Sequence, residues 1–208
     1  MSKFEPKDPK AYATKFDAFY SRFSGIYDFL VKHTSLYDKW FRPVIPHIRG
    51  PRVLEISFGT GWFLTQYASR FEAYGIDLNQ KMILTASRNL LAAGIMIPLQ
   101  RAAVEALPYR SEIFDTVINT MAFAGYPRAD RAISEIHRVL KPGARLILVD
   151  IGFPDDGNWM GKALAIFIAA TGDIIRDMPD IFSRYGFQFS HETIGGFGAL
   201  HLYIAQKK

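Results

Sequence analysis

Four residues at one short turn have the types and the spacing to hold a nucleotide-like ligand. Glu55 lies in the apolar run at residues 53–56, and Ser57, Gly59 and Gly61 follow at alternate positions. The apolar run predicts a buried strand, and the pattern after residue 61 predicts a helix. Because glycine has no side chain, the backbone of such a turn can come into contact with a ligand. We therefore expect the turn to bind part of a nucleotide-like molecule.

Two nucleotide-binding patterns compete at this turn. The pattern G-x-G-x-x-G of dinucleotide-binding proteins needs a third glycine at the position of Leu64, so it fails there. The other pattern is an acidic residue followed by glycines at alternate positions. Glu55, Gly59 and Gly61 match it, and Ser57 stands at the first glycine. This second pattern resembles motif I of the class I S-adenosylmethionine-dependent methyltransferases.

The resemblance extends over about residues 53–150 in four further blocks, which occur in the family's order. The last block, Glu-Ile-His-Arg-Val-Leu-Lys-Pro-Gly, is similar to the segment before the fifth strand in the branch that includes ubiquinone/menaquinone-biosynthesis and related small-molecule enzymes. The resemblance implies an α/β fold with a Rossmann-like, doubly wound, seven-stranded sheet, mostly parallel with an antiparallel last strand. The four blocks are residues 75–79, 104–109, 113–118 and 135–143.

The order of apolar and helical patterns predicts the same architecture. Strands that alternate with helices indicate right-handed crossovers and a parallel sheet covered on both faces. Asn79 is placed to cap the helix after the second strand. The predicted strands are residues 53–56, 73–77, 95–99, 114–120 and 145–150, the later helices 130–140, 157–171 and 179–185, and the final antiparallel pair 187–194 and 199–206.

The first fifty residues predict a helical lid. Aromatic residues recur there at three- and four-residue spacing, which marks one face of a helix or of two helices. A second helical stretch is expected at residues 36–48. We interpret 1–208 as a single methyltransferase domain, with a helical cap (1–50), a cofactor-binding core (51–150), and a substrate-side insert with a C-terminal hairpin (151–208). The cap and the apolar insert around residues 159–170 suggest a lid lined with apolar surface.

The resemblance implies a set of residues that bind S-adenosylmethionine. Asp77 follows Glu55 by 22 positions and would accept hydrogen bonds from both ribose hydroxyls. Glu55 would help to fix the ammonium group, and the tyrosines of the cap would close over the cofactor. The complete predicted set is Tyr20, Tyr27, Glu55, Ser57, Gly59, Gly61, Asp77, Leu78, Met82, Val104, Glu105, Asn119 and Thr120.

Two departures from the family pattern concern the cofactor. Ser57 replaces the first glycine of motif I, which narrows the backbone conformations open to the turn. Ala103 stands where the branch usually has an aspartate that holds the adenine amino group. Adenine recognition must then rest on backbone groups or on Glu105, or be weaker. This departure leaves an alternative open, namely a non-catalytic methyltransferase-fold protein that binds a partner.

The sequence does not single out a catalytic residue. Methyl transfer needs a general base only if the acceptor is protonated at the working pH. The carboxylates Asp150, Asp155 and Asp156 do not have the spacing of a metal-dependent catechol enzyme, so we expect no metal. The candidate bases, none of which lies in a motif, are His33, Tyr37, Asp38, Tyr126 and His191.

Composition and charge limit the kinds of partner that we expect for this protein. The 208 residues have 49% hydrophobic side chains and no cysteine, so we expect a cytoplasmic globular protein without disulfides or a signal peptide. Nine Lys and Arg residues against five Asp and Glu make residues 1–50 basic, which favours contact with an anionic membrane surface or an acidic substrate. We expect no nucleic-acid partner, because the positive charge is neither dense nor clustered. Residues 119–122 also lack the tetrapeptide of enzymes that methylate amino groups on nucleic acids.

The expected function follows from these observations together. We expect a methyltransferase that transfers the methyl group of S-adenosylmethionine directly, by an in-line displacement, to a small acceptor. The apolar lid and the basic N-terminal quarter favour a lipophilic or amphiphilic acceptor, either a quinol precursor or a lipid amine. Such a protein would be cytoplasmic and peripheral at the membrane.

Overall fold

The N-terminal segment lies against the last third of the chain. The computed structural model describes residues 6, 8–14, 18 and 35–208. Tyr20 and Tyr27, two of the predicted cofactor-binding residues, lie outside this part of the chain. Residues 9–14 are helical. The Tyr12 hydroxyl donates a hydrogen bond of 2.7 Å to the carbonyl oxygen of Gly172, which fixes this segment to the chain after residue 171.

The helical stretch predicted at residues 36–48 consists of two shorter pieces. Helix α1 spans Ser35–Phe41, and a 3₁₀ segment follows at Arg42–His47. The 3₁₀ segment contains Pro43 and Pro46. Since proline has no backbone N–H group and its ring clashes with the preceding turn, the α-helix ends before it.

A seven-stranded sheet forms the centre of the molecule and confirms the predicted fold. Its strand order is β3-β2-β1-β4-β5-β7-β6. Strands β1 to β5 pair in parallel, and β7 runs antiparallel to both of its neighbours, β5 and β6. The strands are β1 Arg52–Ile56, β2 Glu72–Asp77, β3 Leu99–Arg101, β4 Phe114–Thr120, β5 Leu140–Ile151, β6 Phe187–Gly195 and β7 Leu200–Lys207.

The helices between the strands begin close to their predicted positions, because residues that can cap a helix are recognisable in the sequence. The side chain of Asn79 accepts hydrogen bonds from the first-turn N–H groups of its helix, as predicted, and Asn158 does the same for the apolar helix of the insert. None of the described helices is long and apolar enough to cross a bilayer. The helices are α2 Trp62–Tyr67, α3 Gln80–Ala92, α4 Ala129–Val139, α5 Trp159–Thr171 and α6 Met178–Arg184.

The third strand was predicted too early in the chain. It spans Leu99–Arg101 and not residues 95–99. The N–H group of Ile95 donates to the Leu90 carbonyl and so completes the end of helix α3. Pro98 has no N–H group to donate and only accepts a hydrogen bond from Gly75, so pairing with β2 starts at Leu99.

The fifth strand starts earlier than predicted. It spans Leu140–Ile151, whereas the sequence predicted residues 145–150. Leu140 pairs with Phe114, and the register then shifts before the regular ladder resumes. Gly143, in the irregular segment, has φ of +75°, a conformation that favours glycine. A Pro-Gly pair usually ends a helix or strand, but here it lies within β5 at the position where the register shifts.

Neighbouring residues of β1 pack into different hydrophobic cores, so the sheet is buried on both faces. Leu54 and Ile56 belong to the core that contains α4 and α6 residues, whereas Val53 belongs to the core with α2 and α3 residues. Because both faces of the sheet are covered, polar side chains that could contact a ligand lie at the ends of the strands. The carboxyl ends of parallel strands β1, β2 and β4 meet at one edge, where ligands bind in open α/β sheets.

Candidate functional site

A cavity of about 390 Å³ lies at the carboxyl ends of β1, β2 and β4. Its wall consists of the loops that follow these three strands and β3, together with residues from the N-terminal helical segment, from the end of α1 and from the loop after α5. The sequence placed most of the predicted cofactor-binding residues at these loops. Those that line the cavity are Glu55, Ser57, Gly59, Asp77, Leu78, Met82, Val104, Glu105 and Thr120.

The turn after β1 has a left-handed backbone conformation at Ser57, the position at which the family pattern has glycine. Ser57 has φ of +54°, in the left-handed region, and Gly59 has φ of +58°. For a residue with a Cβ atom, this conformation is less favourable than a right-handed one by about 1–2 kcal/mol. The Ser57 hydroxyl lies 2.7 Å from the Tyr126 hydroxyl, so a hydrogen bond holds the side chain in place. Ser57 thus adopts a backbone conformation that favours glycine, and its side chain has a hydrogen-bonding partner there.

Gly61 and Asn119 support the site but do not line the cavity. A Cβ atom on Gly61 would lie 2.7 Å from the Cβ atom of Ala86, so this glycine lets α2 and α3 approach each other. Asn119 is buried, and its Nδ2 atom donates to the Tyr126 hydroxyl (2.8 Å) and to the Ile56 carbonyl (3.3 Å). Direct contact of these two residues with a ligand, which the sequence predicted, does not follow from their placement.

Asp77 ties the turn after β1 to the end of β2. Its Oδ2 atom accepts a hydrogen bond of 2.9 Å from the Gly59 N–H group, and its Oδ1 atom accepts one of 2.8 Å from Asn79. The residue is 8% exposed and lines the cavity. A carboxylate oxygen has two lone pairs, so each can also accept a hydrogen bond from a ligand. A pair of vicinal hydroxyls fits this arrangement.

Glu55 places a buried carboxyl group in the cavity wall. The Tyr67 hydroxyl donates to its Oε2 atom at 2.8 Å, whereas its Oε1 atom has no partner among the described residues. Burial raises the pKa of Glu55 to about 8, the hydrogen bond from Tyr67 lowers it and the charge of Asp77 raises it. A buried carboxyl group with an unused oxygen is suited to a cation. The site thus fits the ammonium group of S-adenosylmethionine.

The side of the cavity beside Asp77 consists of apolar side chains together with Asn79 and one further carboxylate. The residues that line it include Leu78, Met82, Ala103, Val104 and Glu105. Because alanine replaces the usual aspartate, Glu105 is the only acidic side chain of the loop after β3 that lines the cavity. The shape and chemistry suit a flat, weakly polar ring such as adenine.

The sequence missed Asp173, a carboxylate in the opposite part of the wall. It follows α5 and lines the cavity, 96 positions after Asp77. Its neighbour Ile174 donates to the Ala124 carbonyl, and Ala124 in turn donates to the Asp150 carboxylate at the end of β5. Burial raises the pKa of Asp173, although the charge of Arg176 lowers it. No motif marks this residue, because only the course of the chain after α5 brings it to the cavity.

Arg176 holds the loop that carries Asp173 against the loop after β4. Its guanidinium group donates to the carbonyl oxygens of Phe123, Ala124 and Tyr126. Three acceptors on one short segment fix that segment precisely where Tyr126 enters the cavity wall. Burial raises the pKa of the Tyr126 phenol, so this residue is a neutral hydrogen-bonding group at physiological pH.

Helix α5 does not cover the cavity, contrary to the predicted apolar lid. None of its residues lines the wall. The small residues Gly161 and Ala165 face the protein, since a Cβ atom on Gly161 would collide with the Phe197 carbonyl group. Several large side chains therefore point outwards, and Trp159 and Phe167 are 75% and 67% exposed.

Two of the other candidate bases, Asp38 and His191, have partners outside the cavity wall. Asp38 on α1 pairs with Arg42 of the 3₁₀ segment, and His191 lies beside Asp155, away from the cavity wall. Of the candidates whose side chains are described, only Tyr126 lines the cavity. The side chains of His33 and Tyr37 lie outside the described part of the structure.

The chain is similar to two groups of methyltransferases. A family model described as a methyltransferase domain matches residues 54–148. A phosphatidylethanolamine N-methyltransferase of Cereibacter sphaeroides is 31% identical over 71% of this chain and 75% of the relative. A ubiquinone/menaquinone biosynthesis C-methyltransferase (UbiE) of Chromobacterium violaceum is 30% identical over 66% of this chain. The match spans only 56% of that relative's length.

Solved structures of methyltransferases have the same fold. A SAM-dependent methyltransferase of Thermotoga maritima has a TM-score of 0.72 at 19% identity and covers 91% of this chain and 98% of its own. A phosphoethanolamine N-methyltransferase of Haemonchus contortus, in complex with S-adenosyl-L-methionine, has a TM-score of 0.64 at 16% identity. That match covers 76% of this chain and 49% of the Haemonchus protein. At these identities the likeness concerns the fold.

Proposed function

The chain belongs to the class I S-adenosylmethionine-dependent methyltransferases of the UbiE-like branch, and we propose that it methylates the amine of an amphiphilic, lipid-like acceptor. Its cofactor is S-adenosylmethionine, which supplies a methyl group on a positively charged sulfur. The observation that carries the acceptor class is the charge of the cavity wall. Its charged side chains are all carboxylates, and none of the described lining residues is a lysine, arginine or histidine.

Two of these carboxylates are assigned to the cofactor. Asp77 is placed to accept hydrogen bonds from the ribose hydroxyls while its backbone partners hold it still. Glu55 offers its unpaired oxygen to the ammonium group. Leu78, Met82 and Val104 form the apolar surface for adenine. This assignment gives every cofactor-binding role to the β1, β2 and β3 side of the cavity.

Asp173 then serves the acceptor. The sheet order places two strands, β1 and β4, between β2, which carries Asp77, and β5, whose end lies near Asp173. A half-buried carboxylate attracts a cationic amine more strongly than a neutral quinol or an anionic headgroup. We assign to Asp173 the recognition of the amine.

The same carboxylate can take a proton from the acceptor. An amine attacks with its nitrogen lone pair, so an ammonium group must first lose one proton. The pKa of Asp173 is raised by burial, which makes the carboxylate a better proton acceptor than one in water. Tyr126, a neutral phenol fixed by Ser57 and Asn119, can accept a hydrogen bond from the remaining N–H group.

Helix α5 is the surface that we assign to contact with the lipid bilayer. Its exposed side chains include Trp159, Ile166 and Phe167, and Phe153 and Phe197 lie exposed in the loops beside it. Aromatic and aliphatic side chains on one exposed helix are typical of helices that lie in the membrane interface. The helix leads directly to Asp173, so a bilayer at this surface would present headgroups at the cavity. The basic N-terminal quarter adds attraction to anionic lipids.

No observation favours the non-catalytic alternative, which rested on the missing aspartate at Ala103. The carboxyl groups of Glu55 and Asp77 both line the cavity, Asp77 accepts a hydrogen bond from the glycine turn, and the wall around Ala103 suits an aromatic ring.

Methyl transfer to matched lipids tests the proposal. The purified protein is incubated with S-adenosylmethionine and vesicles that contain a lipid with a primary amine headgroup, the same lipid with a hydroxyl group instead, or a prenylated quinol. We expect N-methylated lipid from the amine only. Methylation of the quinol without methylation of the amine would overturn the acceptor class. Cofactor binding without transfer to any of the three would support the non-catalytic alternative.

A further inference from the structure

Three side chains with metal-ligating atoms meet towards the other edge of the sheet. His191 lies on β6, His201 on β7, and Asp155 in the loop between β5 and α5. One ligand atom of each residue lies within 4.8 Å of the other two. None of the three lines the cavity described above. We propose that they bind a divalent transition-metal ion that prefers imidazole ligands, such as Zn²⁺.

The buried member of the cluster, His201, has a nitrogen that no hydrogen bond uses. Its ring is 2% exposed, and it occupies space that Gly152 leaves open, since a Cβ atom there would lie 2.8 Å from the ring. Its Nε2 atom lies 3.2 Å from the Phe153 carbonyl oxygen, whereas Nδ1 has no partner among the described residues. A carbonyl only accepts, so Nε2 carries the hydrogen and the neutral ring keeps an unused lone pair. Coordination of a metal would satisfy this imidazole.

An ion pair alone explains only part of the cluster. The distance of 2.9 Å between His191 Nε2 and Asp155 Oδ2 is that of an ordinary histidine–carboxylate pair. Such a pair does not require a second, buried imidazole beside it, and two protonated rings would repel each other. Tyr203 stacks on both rings, with centroid distances of 5.2 Å to His191 and 5.8 Å to His201. The two imidazoles are therefore held side by side.

The separation of the ligands is compatible with a small movement on binding. In a tetrahedral zinc site with bonds of about 2.0–2.1 Å, ligand atoms lie roughly 3.4 Å apart. The side chains of Asp155 and His191 are 64% and 30% exposed and can approach the fixed His201. Two imidazoles and one carboxylate favour zinc and similar ions over calcium or magnesium, which prefer oxygen ligands.

A metal at this position would tie the loop before α5 to the β6–β7 pair. Asp155 precedes α5 by four positions, and both histidines belong to strands of the rigid sheet. The ion would thus fix the beginning of the exposed helix. The proposal needs neither the cofactor nor the acceptor, so its test is independent of the methyl-transfer assay.

Calorimetric titration with Zn²⁺ tests the site on the full chain after removal of any affinity tag. We expect one ion per chain in a buffer that does not chelate metal. The exposed ligands are changed in His191→Gln and Asp155→Asn, because a change at the buried His201 risks misfolding. Each variant should weaken binding by at least about tenfold, since even changes in outer-shell partners typically weaken affinity 10- to 100-fold.

His137→Gln and Asp156→Asn are the matched controls, and both should bind Zn²⁺ as the wild type does. His137 packs against Phe187 at the other end of β6, and Asp156 accepts a hydrogen bond from Asn158 that an asparagine can also accept. Absence of stoichiometric binding would overturn the proposal. Binding that His191→Gln and Asp155→Asn leave unchanged would place the ion elsewhere and overturn it equally.

Discussion

The two ends of the cavity are built in different ways. At the cofactor end, Glu55, Gly59 and Asp77 come from one stretch of 23 residues. Backbone N–H groups hold the Asp77 carboxylate, and the Tyr67 hydroxyl holds Glu55. At the acceptor end, Tyr126 and Asp173 come from loops far apart in the chain, and Arg176 joins those loops. A site built within one local motif keeps its geometry wherever the motif occurs. A site assembled from distant loops can change its specificity without disturbing the cofactor.

Asp77→Ala should break the cofactor end and have the largest effect. We assign to this carboxylate two charge-assisted hydrogen bonds, each of about 1.5–3 kcal/mol, so affinity for S-adenosylmethionine should fall by roughly 1000-fold. The measurement is a calorimetric titration, with circular dichroism to show that the variant is folded. Glu72→Ala, at the exposed start of the same strand, is the control. Affinity within a few-fold of the wild type in Asp77→Ala would refute the assignment.

Much of the cofactor end could be predicted from the sequence because its determinants are local. The strand–turn–helix pattern placed Glu55 and Ser57, and the end of the second strand placed Asp77. The pattern could not distinguish a glycine that faces a ligand from one that lets two helices pack, so Gly61 was assigned to the ligand. Nor does a strand end show which face a side chain takes, so the sequence did not indicate that Asn119 donates a hydrogen bond to Tyr126 instead of lining the cavity.

The acceptor end could not be predicted because it depends on long-range packing. The apolar pattern of residues 159–170 correctly indicated a helix, but apolarity alone does not tell an inward face from an outward one. The inward face is set by Gly161 and Ala165, whose small size permits close contact. Asp173 reaches the cavity because its loop is bound to the loop after β4 by the hydrogen bond between Ile174 and Ala124, 50 positions apart, and by those of Arg176.

The pH dependence of protein stability should show whether Glu55, at the cofactor end, is protonated in the folded protein. The pKa of Glu55 is raised from 4.5 to about 8, so the folded protein holds a proton that the unfolded chain has lost. Stability must then fall as the pH rises between these values. Without cofactor, the free energy of unfolding should decrease by about 2 kcal/mol more between pH 6 and 8 in the wild type than in Glu55→Gln.

Urea unfolding at pH 6, 7 and 8 measures this difference. Comparison with Glu55→Gln cancels the titration of the other groups, including Asp150, whose pKa is raised to about 6. Glu72→Gln, an exposed carboxyl group, should keep the slope of the wild type. An equal slope in the wild type and Glu55→Gln would show that the buried carboxyl group is ionised throughout this range.

The smallest expected effect concerns the membrane surface. The double variant Trp159→Ser/Phe167→Ser removes two of the exposed apolar side chains at α5 and should weaken vesicle binding about fivefold, or roughly 1 kcal/mol. Methylation of a short-chain, soluble amine should not change. Co-sedimentation with anionic vesicles measures the binding.

Leu91→Ser/Met96→Ser is the matched control for that variant. These two side chains are 68% and 88% exposed, but Leu91 lies in the last turn of α3 and Met96 follows that helix, on a different part of the surface. If both double variants weakened vesicle binding equally, general surface hydrophobicity and not α5 would account for the contact.

The most direct test of the account is the kinetics of Asp173→Asn with an amine acceptor, together with its affinity for S-adenosylmethionine. The account predicts that KM for the amine rises about tenfold, since a charge-assisted contact of about 1.5 kcal/mol is lost, while cofactor affinity stays within twofold of the wild type. An unchanged KM would contradict the assignment of Asp173 to the amine. An equal loss of cofactor affinity would contradict the separation of the two ends.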